Sequence, residues 1–277
     1  MSTPHATRAQ TFRQLHASGL LLLANTWDAG TARVVESLGA PALATTSAGV
    51  AWAQGYPDGD ALPVKVLLDV IASITRVTKA PLTADIEGGY SNDPEAVGEV
   101  VAGVLRAGAV GINLEDGTGP VELLVAKIQA ARSASKRLGL DVFVNARTDV
   151  YLQGLVPEPR RLEETLARAE RYRAAGADGL FVPGLVAAND IRTLAASAGL
   201  PLNLMADPRL APLAELQALG VRRLSAGATL AKAIFGRVSA LASDFLKDGG
   251  AAPLVTGAMA YPTLNALMRP ASDTTLA

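Results

Sequence analysis

Short apolar runs alternate along this chain with longer stretches in which apolar residues recur every three or four positions. The runs at 20–25, 42–46, 81–87, 110–115, 142–148, 179–182, 201–205 and 222–225 are too short for helices, and their Leu, Val and Ile content predicts buried strands. Between them, 31–38, 63–78, 94–107, 121–138, 160–175, 187–198, 213–219 and 229–246 carry the helical period, and the units end on a punctuating Gly or Pro. The phrases Arg106-Ala107-Gly108-Ala109, Ala174-Ala175-Gly176-Ala177 and Leu219-Gly220-Val221 read as helix ends in which glycine takes a left-handed cap and the next strand begins at once. Eight strand-helix units in succession, with no return hairpin, predict an α/β fold of the (β/α)8 TIM-barrel type over residues 1–250 rather than an open sheet. A polar, amphipathic lead-in at 8–18 precedes the first strand. Residues 251–277, with Pro253, Pro262 and Pro270 set among apolar side chains, form a helical tail that the barrel does not need. So apolar a tail either folds back on its own barrel or packs on a neighbouring subunit, which gives a homodimer or homotetramer.

The stretch Pro81-Leu82-Thr83-Ala84-Asp85-Ile86-Glu87-Gly88-Gly89-Tyr90 interrupts this pattern, because an apolar run ends abruptly in two acids and two glycines. If the strand runs through Glu87, Asp85 and Glu87 project from one face and can share a cation. Carboxylates that close repel unless a metal, a proton or an arginine stands between them. The metal is the reading taken, against a strand-capping turn whose acids face water. Other strand ends carry polar residues too: Thr45, Thr46 and Ser47 on the second, Asn113, Glu115 and Asp116 on the fourth, Asn145, Arg147 and Asp149 on the fifth, and Asn203 on the seventh. In barrels of this type chemistry is built at the carboxyl ends of the strands, so the acids suit a divalent cation and Arg147 an anionic ligand.

Composition narrows the chemistry further. A formal net charge of −1, with 18% charged and 49% hydrophobic residues, gives no reason to expect a nucleic acid or an anionic membrane as partner. The start of the chain lacks a basic segment leading into an apolar core, and 20–24 is too short to span a bilayer, so the expected location is the cytoplasm. The absence of cysteine excludes disulfides, thiolate metal sites and cysteine nucleophiles. His5 and His16 both precede the first strand, and the six lysines fall on helices or helix ends, which argues against histidine acid-base work and a Schiff base. Ser225-Ala226-Gly227-Ala228 reads as a turn rather than a phosphate site.

With these residues in view, the chain resembles the isocitrate lyase and phosphoenolpyruvate mutase superfamily from about Leu20 to Leu246. Ala84-Asp85-Ile86-Glu87-Gly88-Gly89-Tyr90 is similar to its acidic metal-site segment, with Glu87 where Asp is commoner. Asn113-Leu114-Glu115-Asp116 and Ala146-Arg147-Thr148-Asp149 resemble two further signatures, and Thr46-Ser47-Ala48 with Asp58 resembles the substrate-carboxylate loop and another metal-site acid. The resemblance implies a small 2-oxo acid or dicarboxylate chelating Mg²⁺, with Mn²⁺ as a substitute. It assigns Asp85, Glu87, Asp58 and Glu115 to the metal and Thr46, Ser47, Ala48, Arg147 and Asn203 to the substrate. Arg147, Glu115 and Asp58 take the catalytic roles, and the C-terminal helices are exchanged between subunits. The chain departs from the cleaving lyases in having only Gly117-Thr118-Gly119-Pro120 where they carry a cysteine-bearing loop, and strand six ends Phe181-Val182-Pro183-Gly184 without their glutamate. Three functions follow from this set: a Mg²⁺-dependent carbon-carbon lyase or decarboxylase working through an enolate, phosphonomutase-like phosphoryl transfer, and a barrel that binds a 2-oxo acid without turning it over.

Overall fold

The computed structural model describes residues 4–269. Eight parallel strands, β1 (Leu21–Leu23), β2 (Leu43–Ala44), β3 (Leu82–Asp85), β4 (Gly111–Glu115), β5 (Phe143–Arg147), β6 (Gly179–Phe181), β7 (Leu202–Met205) and β8 (Arg223–Ser225), lie in the order β1-β8-β7-β6-β5-β4-β3-β2. Just beyond β1 and β2 a parallel bridge, Thr26 to Thr45, brings the two ends of the sheet together, with Thr26 N donating to Ala44 O at 2.8 Å. The expected eight-unit barrel is therefore the fold.

The helices are α1 (Pro4–Leu15), α2 (Ala29–Ser37), α3 (Ser47–Ala53), α4 (Val64–Val77), α5 (Pro94–Arg106) and α6 (Val121–Leu138). A π-turn and a 3-10 turn follow β5, and then come α7 (Arg161–Ala175), α8 (Ala188–Ser197), α9 (Leu213–Ala218), α10 (Thr229–Asp248), α11 (Ala252–Val255) and α12 (Tyr261–Leu267). Gly176 ends α7 at φ 107°, a left-handed cap of the kind its sequence predicts. No helix among the described residues is long and apolar enough to cross a membrane.

Strand alternation sorts the core into two kinds of surface. Ile112, Leu114, Val144, Ala146, Leu180 and Leu204 belong to the large apolar cluster beneath the helices. Their neighbours in sequence Asn113, Asn145 and Asn203, with Arg223 and Ser225 on either side of Leu224, are buried together inside the barrel and bond to one another. The lead-in helix α1 closes the amino-terminal end: Phe12 and Ala9 pack with Leu21, Ala42, Val110 and Phe143 at the strand starts, and Arg13 reaches Asp178 at 2.7 Å. His16, just past α1, stacks on Phe143 with ring centroids 4.2 Å apart and is held by Phe12 O. His5 meets Ala109 O at 3.1 Å just ahead of β4, so both histidines lie at the amino-terminal end of the barrel.

Three details differ from the sequence pattern. β3 stops at Asp85 rather than 87, and Glu87 sits at φ 52°, so the two acids do not share an extended face. β2 covers two residues, and the chain turns straight into α3, where the apolar pattern predicts no helix. Gly49 permits that turn to pack, since a Cβ there would meet Thr46 Cγ2 at 2.7 Å and Ala231 Cβ at 3.2 Å. At the other terminus α12 returns to its own barrel, with Arg33 Nε donating to Leu267 O at 3.1 Å. Yet α10 buries only Ala231 and leaves Ile234, Phe235, Val238, Phe245 and Leu246 exposed, and Leu254, Val255, Met259, Tyr261, Leu264 and Met268 are exposed as well. Pro270 and the rest of the predicted tail lie outside the described residues.

Candidate active site

The carboxyl ends of the strands surround a cavity of about 160 Å³, and that size suits a small acid better than a nucleotide. Thr46, Ser47 and Ala48 approach from the start of α3, Asp58 from the following loop, Asp85 from β3, Asn113 from β4 and Arg147 from β5. Asn25, Phe181, Met205, Ser225, Gly227 and Ala228 complete the wall. The Ser225–Ala228 turn read from sequence as architecture is both, because Gly227 N is pinned by Asn25 Oδ1 at 2.9 Å while the turn lines the cavity.

Arg147 is the cation of this cavity, and it is already clasped. Its Nη1 lies 2.6 Å from Glu115 Oε2, and its Nε and Nη2 donate to the two oxygens of Asp149 at 2.7 and 2.9 Å. Burial pulls its pKa down, but these carboxylates together outweigh that and raise it, and its guanidinium stands 5.9 Å above the Phe181 ring centroid. Asp149 is in turn placed by Asp116, whose Oδ1 accepts from Asp149 N at 2.9 Å and whose Oδ2 accepts from Arg168 and Tyr172, each at 2.7 Å. Arg168 and Tyr172, which touch the site only through Asp116, are residues that the strand-end pattern does not reach. Their spacing of four places both on one face of α7, and two polar residues on an inward helical face are the signal that could have found them.

The acids divide between two places. Asp85 and Asp58 face the cavity, and burial raises the pKa of Asp85 although Arg147 pulls the other way. Glu87, also buried, instead turns away from this cavity into the loop at 59–60. Its Oε2 accepts from the backbone amides of Gly59 (2.7 Å) and Asp60, and its Oε1 accepts from Tyr90 OH at 3.1 Å. Asp60, Glu87 and Tyr90 are the non-glycine residues at positive φ among the described residues, and all three meet at this clamp, the kind of strain that marks functional sites. The clamp anchors the loop that carries Asp58. Glu87 and Glu115 border a neighbouring cavity of about 420 Å³ over the short 117–120 loop, with Lys127 reaching Gly88 O at 2.6 Å. Burial pushes the Glu115 carboxyl up to about 8 against the pull of Arg147. Asn203 lies beneath the main cavity, where its Oδ1 accepts from Ser225 Oγ at 3.1 Å and its Nδ2 is buried without a partner. The structure thus brings Thr46, Ser47, Ala48, Asp58, Asp85 and Arg147 to one cavity, sets Glu115 and Glu87 behind them, and leaves Asn203 in the layer below.

Among the described residues no group of three or more His, Asp or Glu is placed to hold a metal by itself. The buried Asp85 and the exposed Asp58, facing one small cavity, nonetheless fit a hard divalent cation whose other positions are filled by ligand and water oxygens.

A parallel eight-stranded barrel with acids and one arginine gathered at its carboxyl end has the layout of a barrel enzyme that works on a small anion. The chain belongs to the phosphoenolpyruvate phosphomutase family, whose model it matches over residues 12–246. It is 35% identical over 217 residues to an uncharacterized protein of Mycobacterium tuberculosis strain H37Rv, covering 78% of this chain and 81% of that one. It is 30% identical over 237 residues to an oxaloacetate decarboxylase of Bradyrhizobium sp. strain BTAi1, covering 82% and 80%. Among solved structures it is similar to a phosphonomutase-like protein of Burkholderia cenocepacia J2315, with 46% identity, a TM-score of 0.81 and coverage of 85% of this chain and 99% of that one.

Proposed function

We propose that the protein is a Mg²⁺-dependent enzyme that breaks the carbon-carbon bond one carbon removed from the ketone of a small 2-oxo acid, leaving an enolate, with a four-carbon 2-oxo dicarboxylate as the first substrate to try. The observation that carries this is the pairing of a doubly clasped Arg147 with Asp85 and Asp58 across one cavity, supported by the likeness to oxaloacetate decarboxylases. Asp85 and Asp58 would hold the cation, with Glu87 and Glu115 behind them, and Mn²⁺ would serve as a substitute. A cation in that position supplies positive charge next to the oxygen on which the enolate develops.

The chain's own residues do the rest. Arg147 binds the substrate carboxylate through its planar two-donor edge, and the Thr46-Ser47-Ala48 segment borders the same cavity. Asp149, held by Asp116, keeps the guanidinium in place as the anion arrives and competes with Glu115. In a decarboxylation the bond to the departing carboxylate breaks, its electron pair enters the enolate, carbon dioxide leaves, and a proton from water then restores the ketone. We also place the protein in the cytoplasm as a homodimer or dimer of dimers whose tail helices cross to the neighbour, since the exposed apolar face of α10 to α12 needs cover.

The test is pyruvate release from oxaloacetate with Mg²⁺ and with chelator, measured above the uncatalysed rate. Chelator-sensitive turnover that exceeds the background is expected. The likeness to the phosphonomutase-like protein favours phosphoryl transfer as the second reading, and activity on phosphonopyruvate with none on oxaloacetate would establish it instead.

A further inference from the structure

Inside the barrel, below the cavity floor, lies a guanidinium with no acid to pair with. Arg223 projects inward from β8 and is 1% exposed. Its Nε donates to Ser225 Oγ and its Nη2 to Asn113 Oδ1, both at 3.2 Å, while Nη1 is buried with no partner. No carboxylate bonds to it, and the acid that favours its charge, Asp85, acts only through space. Burial pulls its pKa down to about 9, yet at neutral pH the group stays protonated. A buried, unpaired charge is costly to a fold, and apolar residues of similar volume commonly replace such groups without loss of stability. Arg223 therefore calls for a role beyond packing.

Its neighbours indicate which. An arginine can only donate, so the atom of Asn113 that meets it must be the amide oxygen, and Asn145 Nδ2 donates to that same oxygen at 2.9 Å. Asn113 is thereby locked with its oxygen down and its NH₂ group left for the cavity it lines. Ser225 Oγ accepts from Arg223 and so turns its proton to Asn203 Oδ1. That leaves the Asn203 amide nitrogen as a further buried donor.

We propose that Arg223 is a positioning residue of this site: it fixes the Asn113 and Ser225 side chains so that the cavity floor presents N–H donors, and it holds a permanent positive charge beneath a bound anion. The proposal rests on reading the cavity as a cation-dependent site for small oxo acids. Oxalate, a dianion with four acceptor oxygens, is the probe, titrated calorimetrically in the presence of Mg²⁺ against the parent protein, Arg223→Met and Arg223→Lys. The expected result is at least tenfold weaker oxalate binding in Arg223→Met with a melting temperature equal to or above the parent's, and an intermediate loss in Arg223→Lys, which restores charge without the fork. A merely structural residue would lower the melting temperature and leave affinity alone. If Arg223→Met does not fold, Arg223→Lys decides: a threefold or greater loss of affinity at unchanged melting temperature supports the proposal and unchanged affinity overturns it. Equal oxalate affinity in parent and folded Arg223→Met also overturns it while leaving the proposed function standing. A parent that binds no oxalate in the presence of Mg²⁺ overturns both.

Discussion

Arg147 is where the charge balance of the site turns, because it is held by Glu115 and Asp149 before any ligand arrives. Lysine at this position keeps the charge but loses the planar geometry that can satisfy Asp149 and a substrate carboxylate together. Arg147→Lys should therefore weaken binding of a 2-oxo acid at least tenfold, about 1.4 kcal/mol, in a titration with pyruvate. Unchanged affinity would remove Arg147 from the site. Glu87→Gln should cost less than tenfold in Mg²⁺ affinity, since an amide oxygen can still accept from the Gly59 and Asp60 amides that anchor the Asp58 loop. A loss as complete as that from removing Asp85 would make Glu87 a direct ligand. At this scale the sequence was legible where placement follows from a residue's position at a strand end, as for Asp85 and Arg147, which line the cavity. It was not legible for Glu87, whose destination depends on a left-handed backbone that two following glycines permit but do not announce.

Among the elements, α1 shows how the amino-terminal end is sealed and what that sealing implies for pH. His16 is buried between Phe12 and Phe143, and desolvation, with Arg223 next in weight and Arg13 adding to it against Asp178, lowers its pKa from 6.5 to about 4. Between those values the unfolded chain binds a proton that the folded chain refuses, so stability is full above pH 6.5 and is lost as pH falls, by up to about 3 kcal/mol. His16→Phe should flatten this slope: thermal unfolding at pH 7 and pH 5 should show a smaller drop in melting temperature than the parent's. Equal drops would mean that His16 is protonated in the fold. The amphipathic lead-in hinted at α1, but its docking under the strands depends on Phe12 meeting Val110 and Phe143 far along the chain. Helix α3 escaped the pattern for a different reason. Ser47-Ala48-Gly49-Val50-Ala51 is small throughout, no side chain caps the helix at Thr46, and only its packing on Trp27 and Ala231 shows that the segment is helical.

At the scale of the whole molecule the barrel could be read early, because each of eight units repeats the same order of short apolar run, turn and periodic helix. The polar interior could not, since Asn113, Asn145, Asn203 and Arg223 are scattered over four strands and become neighbours only through the closed register. The exposed apolar face of α10 to α12 gives the expectation for assembly. Light scattering at tens of micromolar should report a dimer or tetramer for the full chain and a smaller species for a version ending near Asp248. A full chain that stays monomeric would refute the exchange, and a truncated one that still assembles would put the interface on the barrel helices. The claim on which everything else depends is that the mouth of this barrel holds a divalent cation through Asp85. Calorimetric titration of Mg²⁺ into the parent and into Asp85→Ala tests it directly. Saturable binding in the parent and none in a folded Asp85→Ala is the expected result, and equal binding in both would contradict the account.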